Sequence, residues 1–143
     1  MSLVDTARRV FGADRYATQQ TGVTIDTVDL HTTSCSLTVE PHHRNAKGVV
    51  MGGVLMTLAD YAFAVASHTE MLQNLGDDDE ATLEWVTSSS QIHFLAPATQ
   101  GRIVARTQCL KQGRRQCLYQ ITITDDTQRT LAIVTTSGTN IRH

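Results

Sequence analysis

The 143-residue sequence contains little proline, few aromatic side chains and no long uninterrupted apolar run. Because only two prolines are present, the chain has no Pro-rich linker. Aromatic residues make up only 5% of the chain. The most apolar segment, residues 52–68, contains an aspartate and is shorter than the roughly 20 residues that span a bilayer. The opening MSLVDTARRVFGADRY carries charges every few residues, unlike a signal peptide. We therefore expect no membrane partner.

The sequence also lacks a charge excess and a cysteine framework. The net charge of −2 gives no reason to expect nucleic acid as a partner. Cys35, Cys109 and Cys117 form no CxxC pair, which predicts free thiols in a reducing compartment and hence a cytoplasmic protein. Cys109 and Cys117 flank a turn and could approach each other, but two packed thiols are expected there rather than a disulfide.

Residue types that bind metals are present without the spacing that metal sites need. The six histidines form no ligand motif, and the acidic run of NLGDDDEA lacks the ligand order of a calcium loop. This run predicts a solvated loop, and no metal is predicted. His42, His43 and His143 are expected at the surface, and His31 and His93 on strands.

The order of hydrophobic patterns predicts an α+β fold in a single domain over residues 1–143. VDTARRVF has the spacing of a short amphipathic helix, and GVTIDTVDL and TTSCSLTVE alternate as two strands. Residues 52–68 predict one long apolar helix. Residues 82–97, 101–111, 114–126 and 129–142 predict four further strands. Short turns between consecutive strands favour antiparallel pairing, and such a sheet can curl around the helix.

Asp60 is the one charged residue near the centre of the apolar helix. An unpaired buried carboxylate costs several kcal/mol, so it is retained where it has a partner or a task. Helical spacing puts it on a stripe of mainly small residues, opposite the bulky ones. The stripe comprises Gly53, Thr57, Asp60, Ala64 and His68. This side leaves room for a ligand or a second copy of the helix, and the alternative is a structural Asp bonded to a strand or subunit.

The loop HRNAKGVVMGG brings Gly48, Gly52 and Gly53 to the start of this helix. The first N–H groups of a helix lack internal partners and favour negative charge. That arrangement suits the oxyanion of an acyl-transfer reaction. A tight turn alone would also explain the glycines.

The turn KQGRR is a second candidate site. Lys111, Arg114 and Arg115 concentrate positive charge in a chain that is otherwise slightly acidic, and Gly113 allows a sharp bend. Arginine and lysine bind phosphate groups well. An ordinary solvated hairpin tip is the alternative interpretation.

The segment HRNAKGVVMGGVLMTLAD resembles the signature of PaaI-like hotdog-fold acyl-CoA thioesterases, H-x-N-x-x-G-x-x-H-G-G followed by an apolar run ending L-x-D. FGADRYATQQTGVTI and VTSSSQIHFLAPATQGRIVARTQCLKQGRR are similar to further parts of that family, so the resemblance covers nearly the whole chain. It implies the hotdog fold, a long curved antiparallel sheet wrapped around one central helix. It also implies hydrolysis of a small aryl- or medium-chain acyl-CoA, with coenzyme A as part of the substrate and no separate cofactor.

The resemblance further implies roles for individual residues. Gly52 would offer its N–H to the thioester oxygen, and Asp60 would be the general base or the nucleophile. Asn45 would orient the carbonyl or the water, and Thr87 would help to place the attacking water. Coenzyme A would be bound by Gly53, Lys111, Gly113, Arg114 and Arg115. Met51 stands where most relatives have histidine, and methionine cannot donate a strong hydrogen bond.

Three expectations follow for the site. An apolar helix should raise the pKa of Asp60 above its ordinary value of about 3.9, which would make it a better base. Gly52 and Asp60 are eight positions apart, or about 12 Å along a helix, so one helix cannot easily bring both to one carbonyl. We therefore predict a homodimer with shared sites, and the resemblance implies that such dimers pair into homotetramers.

Two rival functions remain open at this point. The first is a non-catalytic module of the same fold that binds acyl-CoA or acyl carrier, which the methionine at position 51 favours. The second is a hotdog dehydratase, which ranks lower because no strand–helix element pairs a histidine with an acidic residue in the required manner.

Overall fold

The computed structural model describes residues 1–142 as six antiparallel strands with one long helix packed against them. The helices are α1 (Leu3–Phe11), α2 (Gly52–Ser67) and α3 (Thr69–Gln73), with a π-helical turn at Tyr16–Thr21 and a 3-10 turn at Pro41–His43. The strands are β1 (Thr24–Asp29), β2 (Thr32–Thr38), β3 (Trp85–Phe94), β4 (Arg102–Gln112), β5 (Gln116–Thr124) and β6 (Thr130–Asn140). Their order in the sheet is β1-β2-β4-β5-β6-β3. The predicted α+β architecture is confirmed.

Helix α2 separates bulky and small residues as its sequence predicts. Leu55, Leu58 and Phe63 are at most 3% exposed and pack in the core between the helix and the sheet. On the opposite side Gly53 and Asp60 are exposed. The helix therefore presents an open face in the middle of its length, although most of its residues are buried.

Strand β3 lies at one edge of the sheet and pairs with β6. Only Trp85 and Ile92 among its ten residues are partly buried, and the other eight are exposed. The pairing register shifts between Thr87 and Ser89, which marks Ser88 as the extra residue of a β-bulge. This edge strand thus has an open edge and few residues packed on either face.

The expected positions of the histidines are partly wrong. His43 is 2% exposed, not at the surface, because its ring closes the 3-10 turn: Nδ1 accepts from the Glu40 N–H at 2.9 Å and Nε2 donates to the Thr21 carbonyl at 2.8 Å. His31 lies in the turn between β1 and β2 with φ of 55°, not on a strand. His42 is exposed and His93 lies on β3, as predicted, and His143 is outside the described residues.

The cysteines and the acidic loop of the described residues are as the sequence predicts. Cys35, Cys109 and Cys117 are free, and residues 77–80 of the acidic loop are exposed. No helix in the described chain is both long enough and apolar enough to cross a membrane. The π-helical turn and α3 are short elements that the sequence patterns do not predict.

Candidate active site

Asp60 and Thr87 meet on the open face of α2. The Thr87 hydroxyl donates to Asp60 Oδ1 at 3.0 Å, so one strand residue and one helix residue form a single polar unit. Both line a pocket of about 480 Å³ together with Ser90. Side chains three positions apart do not share a face of a regular strand, and the bulge at Ser88 turns Thr87 and Ser90 to the same side.

The expected burial of the Asp60 carboxylate is not found, because Asp60 is exposed in the single chain. Its neighbours along the open face, Gly53 and Thr57, are too small to cover it. One chain therefore supplies a hydrogen bond to this carboxylate but leaves it open to solvent.

Gly52 occupies the first position of α2. The cap residue Met51 makes no side-chain hydrogen bond to the helix within residues 1–142, and it is 54% exposed. A Cβ atom at Gly52 would come within 2.8 Å of the Phe94 ring, so glycine is required for the close approach of that ring. Together they line an apolar pocket of about 440 Å³ with Leu55, Leu95 and Pro97.

Asn45 shapes the loop that leads to Gly52. Its Oδ1 accepts from the backbone N–H groups of Lys47 at 2.9 Å and Val49 at 3.3 Å. Both bonds use the oxygen, and neither uses the Nδ2 group. The loop is tied to the helix start by the Met51 N–H, which donates to the His43 carbonyl at 2.9 Å.

Within one chain the two halves of the predicted reaction centre are apart. Gly52 lines the pocket beside Phe94, whereas Asp60 and Thr87 line a different pocket farther along α2. The eight helical steps from Gly52 to Asp60 in an unbroken helix separate the backbones by about 12 Å. The structure thus unites Asp60 with Thr87 but not with Gly52 or Asn45.

The basic turn lies at the other end of α2. Gly113 and Arg114 line a pocket of about 250 Å³ with Ser67, the last residue of that helix, and His68, its C-cap. A Cβ atom at Gly113 would be 2.8 Å from the Gln116 carbonyl oxygen, which explains the glycine. Gly52, at the first residue of the same helix, is therefore remote from this turn.

Positive charge in the basic turn is available to a ligand. Lys111, Arg114 and Arg115 are exposed, and no ion pair involves them within the described residues. Among residues 1–142, no cluster of three or more His, Cys, Asp or Glu side chains could hold a metal ion.

His68 fixes the junction between α2, α3 and β3. Its Nδ1 donates to the Ala64 carbonyl at 2.7 Å, and its Nε2 accepts from the N–H groups of Glu84 at 3.2 Å and Trp85 at 3.1 Å. The ring is 3% exposed, and burial lowers the pKa of His68 below its ordinary value of 6.5. The neutral ring therefore positions the start of the strand that carries Thr87.

Several site residues were not predicted from the sequence. Phe94 and Ser90 lie on β3 beside the candidate groups, and Tyr16 lies on the π-helical turn at the edge of the Asp60 pocket. Serine and phenylalanine in a strand are unremarkable, and the bulge that aligns them leaves no sequence signal. The run of three serines at residues 88–90 is the nearest hint, since it departs from the usual alternation.

Residues 47–132 match the thioesterase superfamily, and the chain belongs to it. A similar solved structure is the Escherichia coli PaaI protein of the phenylacetic acid degradation operon, at 27% identity and a TM-score of 0.80, with 98% of this chain and 96% of that chain covered. The match confirms the hotdog fold and the PaaI-like family. No curated protein sequence matches the chain.

Two further solved structures contain coenzyme A or its acetyl ester. One is a hypothetical thioesterase from Streptococcus pneumoniae with coenzyme A, at 20% identity and a TM-score of 0.78, covering 93% of this chain and 95% of that chain. The other is a Streptococcus mutans protein bound to acetyl-CoA, at 18% identity and a TM-score of 0.70, covering 82% and 87%. At these identities the likeness concerns the fold.

Proposed function

We propose that this protein hydrolyses a small aryl- or medium-chain acyl-CoA thioester to the free acid and coenzyme A. The observation that carries the proposal is the hydrogen bond from Thr87 to Asp60 in a pocket on an otherwise apolar helix. Membership of the thioesterase superfamily supports the reaction class. The coenzyme A and acetyl-CoA in two proteins of the same fold support the choice of thiol.

In the proposed reaction Asp60 acts as a general base. Thr87 holds Oδ1, so Oδ2 is free to take a proton from a water molecule as that water attacks the thioester carbon. The carbonyl oxygen gains negative charge and is stabilised by the Gly52 N–H at the start of α2. The tetrahedral intermediate then collapses, the C–S bond breaks, and the thiolate of coenzyme A accepts the proton that Asp60 took from the water. Direct attack by the carboxylate is the alternative use of the same residue.

The donor and the base are proposed to come from different subunits. Gly52 and Asp60 of one helix are too far apart to serve one carbonyl easily, whereas two antiparallel copies of α2 would place each Gly52 beside the other Asp60. The open edge of β3 and the uncovered face around Asp60 offer the surface for such a homodimer. A second subunit would also enclose the carboxylate that one chain leaves exposed.

The basic turn is proposed to bind the phosphate groups of coenzyme A. Lys111, Arg114 and Arg115 are unpaired within residues 1–142 and lie beside a pocket at the end of α2. Guanidinium groups form paired hydrogen bonds with phosphate oxygens. This assignment gives the nucleotide end of the substrate a site separate from the reacting carbonyl.

A non-catalytic acyl-CoA-binding protein is the second candidate. Met51 favours it, because the side chain at the helix start is exposed and supplies no strong donor. The proposed oxyanion site depends on the backbone of Gly52 and not on position 51, which is why hydrolysis remains the leading proposal.

The deciding experiment compares the wild type with Asp60→Asn on a panel of acyl-CoA thioesters. The amide preserves size and hydrogen bonding but removes the base, so kcat should fall at least about 100-fold with the fold intact. Asp78→Asn, in the exposed acidic loop, is the matched control and should keep wild-type activity. Near wild-type turnover by Asp60→Asn would exclude the mechanism, and tight binding without turnover by the wild type would favour the second candidate.

A further inference from the structure

The pocket around Asp60 has an outer wall that belongs to neither α2 nor the sheet. Asp14, Tyr16 and Ala17, from the segment between α1 and β1, line it opposite Met56 and Thr57. Tyr16 is 66% exposed although it is a large aromatic residue at the mouth of a pocket. Its ring therefore has apolar surface that a molecule in the pocket could cover.

The position of Tyr16 is fixed relative to Asp60 by buried contacts. Ala17, the next residue, is 3% exposed, and its carbonyl accepts from the Val23 N–H at 2.9 Å. Tyr61, which follows Asp60 on α2, is also 3% exposed, and its hydroxyl donates to the Phe11 carbonyl at 2.8 Å, where α1 ends. The segment that carries Tyr16 is thus anchored at both ends, and one anchor comes from the residue beside the candidate base.

The π-helical turn gives this segment its shape. It spans Tyr16–Thr21 and ends at Gly22 in the left-handed conformation, with φ of 79°. A π-helical turn has i→i+5 hydrogen bonds and is rare in proteins. Here the turn keeps Ala17 buried while Tyr16 stays at the rim of the pocket.

The geometry points to Tyr16 as a specificity-determining residue that contacts the acyl group of the substrate and discriminates acyl groups by length. This inference rests on the proposed function, because it takes the reacting carbonyl to lie beside Asp60. A base must be within about 3 Å of the water it activates, so the carbonyl carbon lies near Asp60 and the acyl group continues into the pocket. An acetyl group ends beside Asp60 and Thr57, whereas a longer acyl group extends to the ring of Tyr16.

The test uses the full-length protein and coenzyme A thioethers, which cannot be hydrolysed. Calorimetry measures the Kd of S-alkyl-CoA compounds from ethyl to decyl for the wild type, Tyr16→Ala, Tyr16→Phe and Leu30→Ala. The same proteins are assayed for kcat/KM on the corresponding acyl-CoA esters. Leu30 is 47% exposed in the turn between β1 and β2 and controls for the loss of an exposed apolar side chain elsewhere.

We expect Tyr16→Ala to bind the ethyl thioether like the wild type and to lose affinity with chain length, reaching about ten-fold for the longest chains. Tyr16→Phe, which keeps the ring, and Leu30→Ala should follow the wild-type profile. An equal effect of Tyr16→Ala at every length, or no effect at any length, would overturn the inference.

The thioether series also separates this inference from the proposed hydrolysis. A length profile that depends on Tyr16 without turnover of any ester would refute hydrolysis and support the role of Tyr16. Turnover of the esters with a length profile that does not depend on Tyr16 would support hydrolysis and refute the role of Tyr16. Failure of the wild type both to bind any thioether and to hydrolyse any ester would refute both.

Discussion

A single hydroxyl joins the edge strand to the candidate base. Thr87 donates to one oxygen of Asp60, which fixes the rotation of the carboxylate and leaves the other oxygen for a water molecule. A hydrogen bond to a charged group contributes more than one between neutral groups, about 1.5–3 kcal/mol. The hydroxyl is therefore expected to matter more than its exposed position suggests.

Replacement of Thr87 tests this at the residue scale. Thr87→Val removes the donor and keeps the shape, so we expect kcat to fall about ten-fold or more, the kinetic equivalent of a lost hydrogen bond to a charged group. Thr87→Ser keeps the donor and should retain most of the activity. Steady-state kinetics of the two variants test the role of the hydroxyl, and equal activity of Thr87→Val and Thr87→Ser would exclude that role.

Residue-level prediction from the sequence succeeds where chemistry is local. Asp60 stands out because a charge interrupts an apolar helix, and Thr87 was assigned through the family resemblance. The burial of His43 was missed, since its partners are backbone groups of Glu40 and Thr21 that no side-chain pattern reveals. The exposure of Asp60 was also missed, because helical spacing indicates a face and not what covers it.

At the scale of elements, the two ends of α2 carry different candidate binding features. The first turn exposes N–H groups beside Gly52, and the last turn meets the basic hairpin and the buried ring of His68. The segments of α2 and of the strands lie close to their predicted positions, because an apolar run marks α2 and alternating or β-branched residues mark the strands. The sequence patterns do not predict the π-helical turn or the bulge at Ser88, because each depends on one extra residue that tertiary packing accommodates.

Removal of charge from the basic turn should weaken binding and not chemistry. Replacement of Arg114 and Arg115 by alanine is expected to raise KM for acyl-CoA with little change in kcat, because phosphate contacts stabilise ground and transition states alike. The effect should diminish at high salt, where exposed charges are screened. A truncated thioester without the nucleotide is the control substrate, and an equal loss with it would indicate a structural role for the turn.

The His68 junction should make stability depend on pH. Burial lowers the pKa of His68 in the folded protein below 6.5, so the unfolded chain binds the proton more readily. The stabilisation by the neutral ring is complete above pH 6.5 and is lost as the pH falls below 6.5 towards the lowered folded-state pKa.

Denaturant unfolding at several pH values measures this contribution. Subtraction of the profile of His68→Gln removes the titration of groups common to both proteins. The difference in unfolding free energy should decrease as the pH falls from 7 to 5. A constant difference would show that protonation of His68 does not oppose folding.

At the scale of the whole molecule, the separation of Gly52 from Asp60 makes each proposed site depend on two subunits. In a mixed dimer of Asp60→Asn and Asn45→Ala, one site would carry both lesions and the other neither. With equal amounts and random exchange, about half the dimers are mixed and half of their sites are intact. Co-refolding should therefore restore about one quarter of wild-type activity.

Subunit exchange must be verified by mass spectrometry of the refolded mixture. Exchange without recovered activity would refute the shared site, and recovery would demonstrate it. Sedimentation of the same sample distinguishes the predicted homodimer from the predicted homotetramer.

The position of β3 also has a consequence for the order of events during synthesis. Trp85 pairs with Asn140 and Phe94 with Ala132, so this strand hydrogen-bonds to a segment that leaves the ribosome much later than itself. Until β6 has emerged, β3 has no neighbour in the sheet order, and Thr87 cannot be held against Asp60. The nascent chain therefore carries its candidate base long before it carries a completed site, and the proposed hydrolysis would await the last strand.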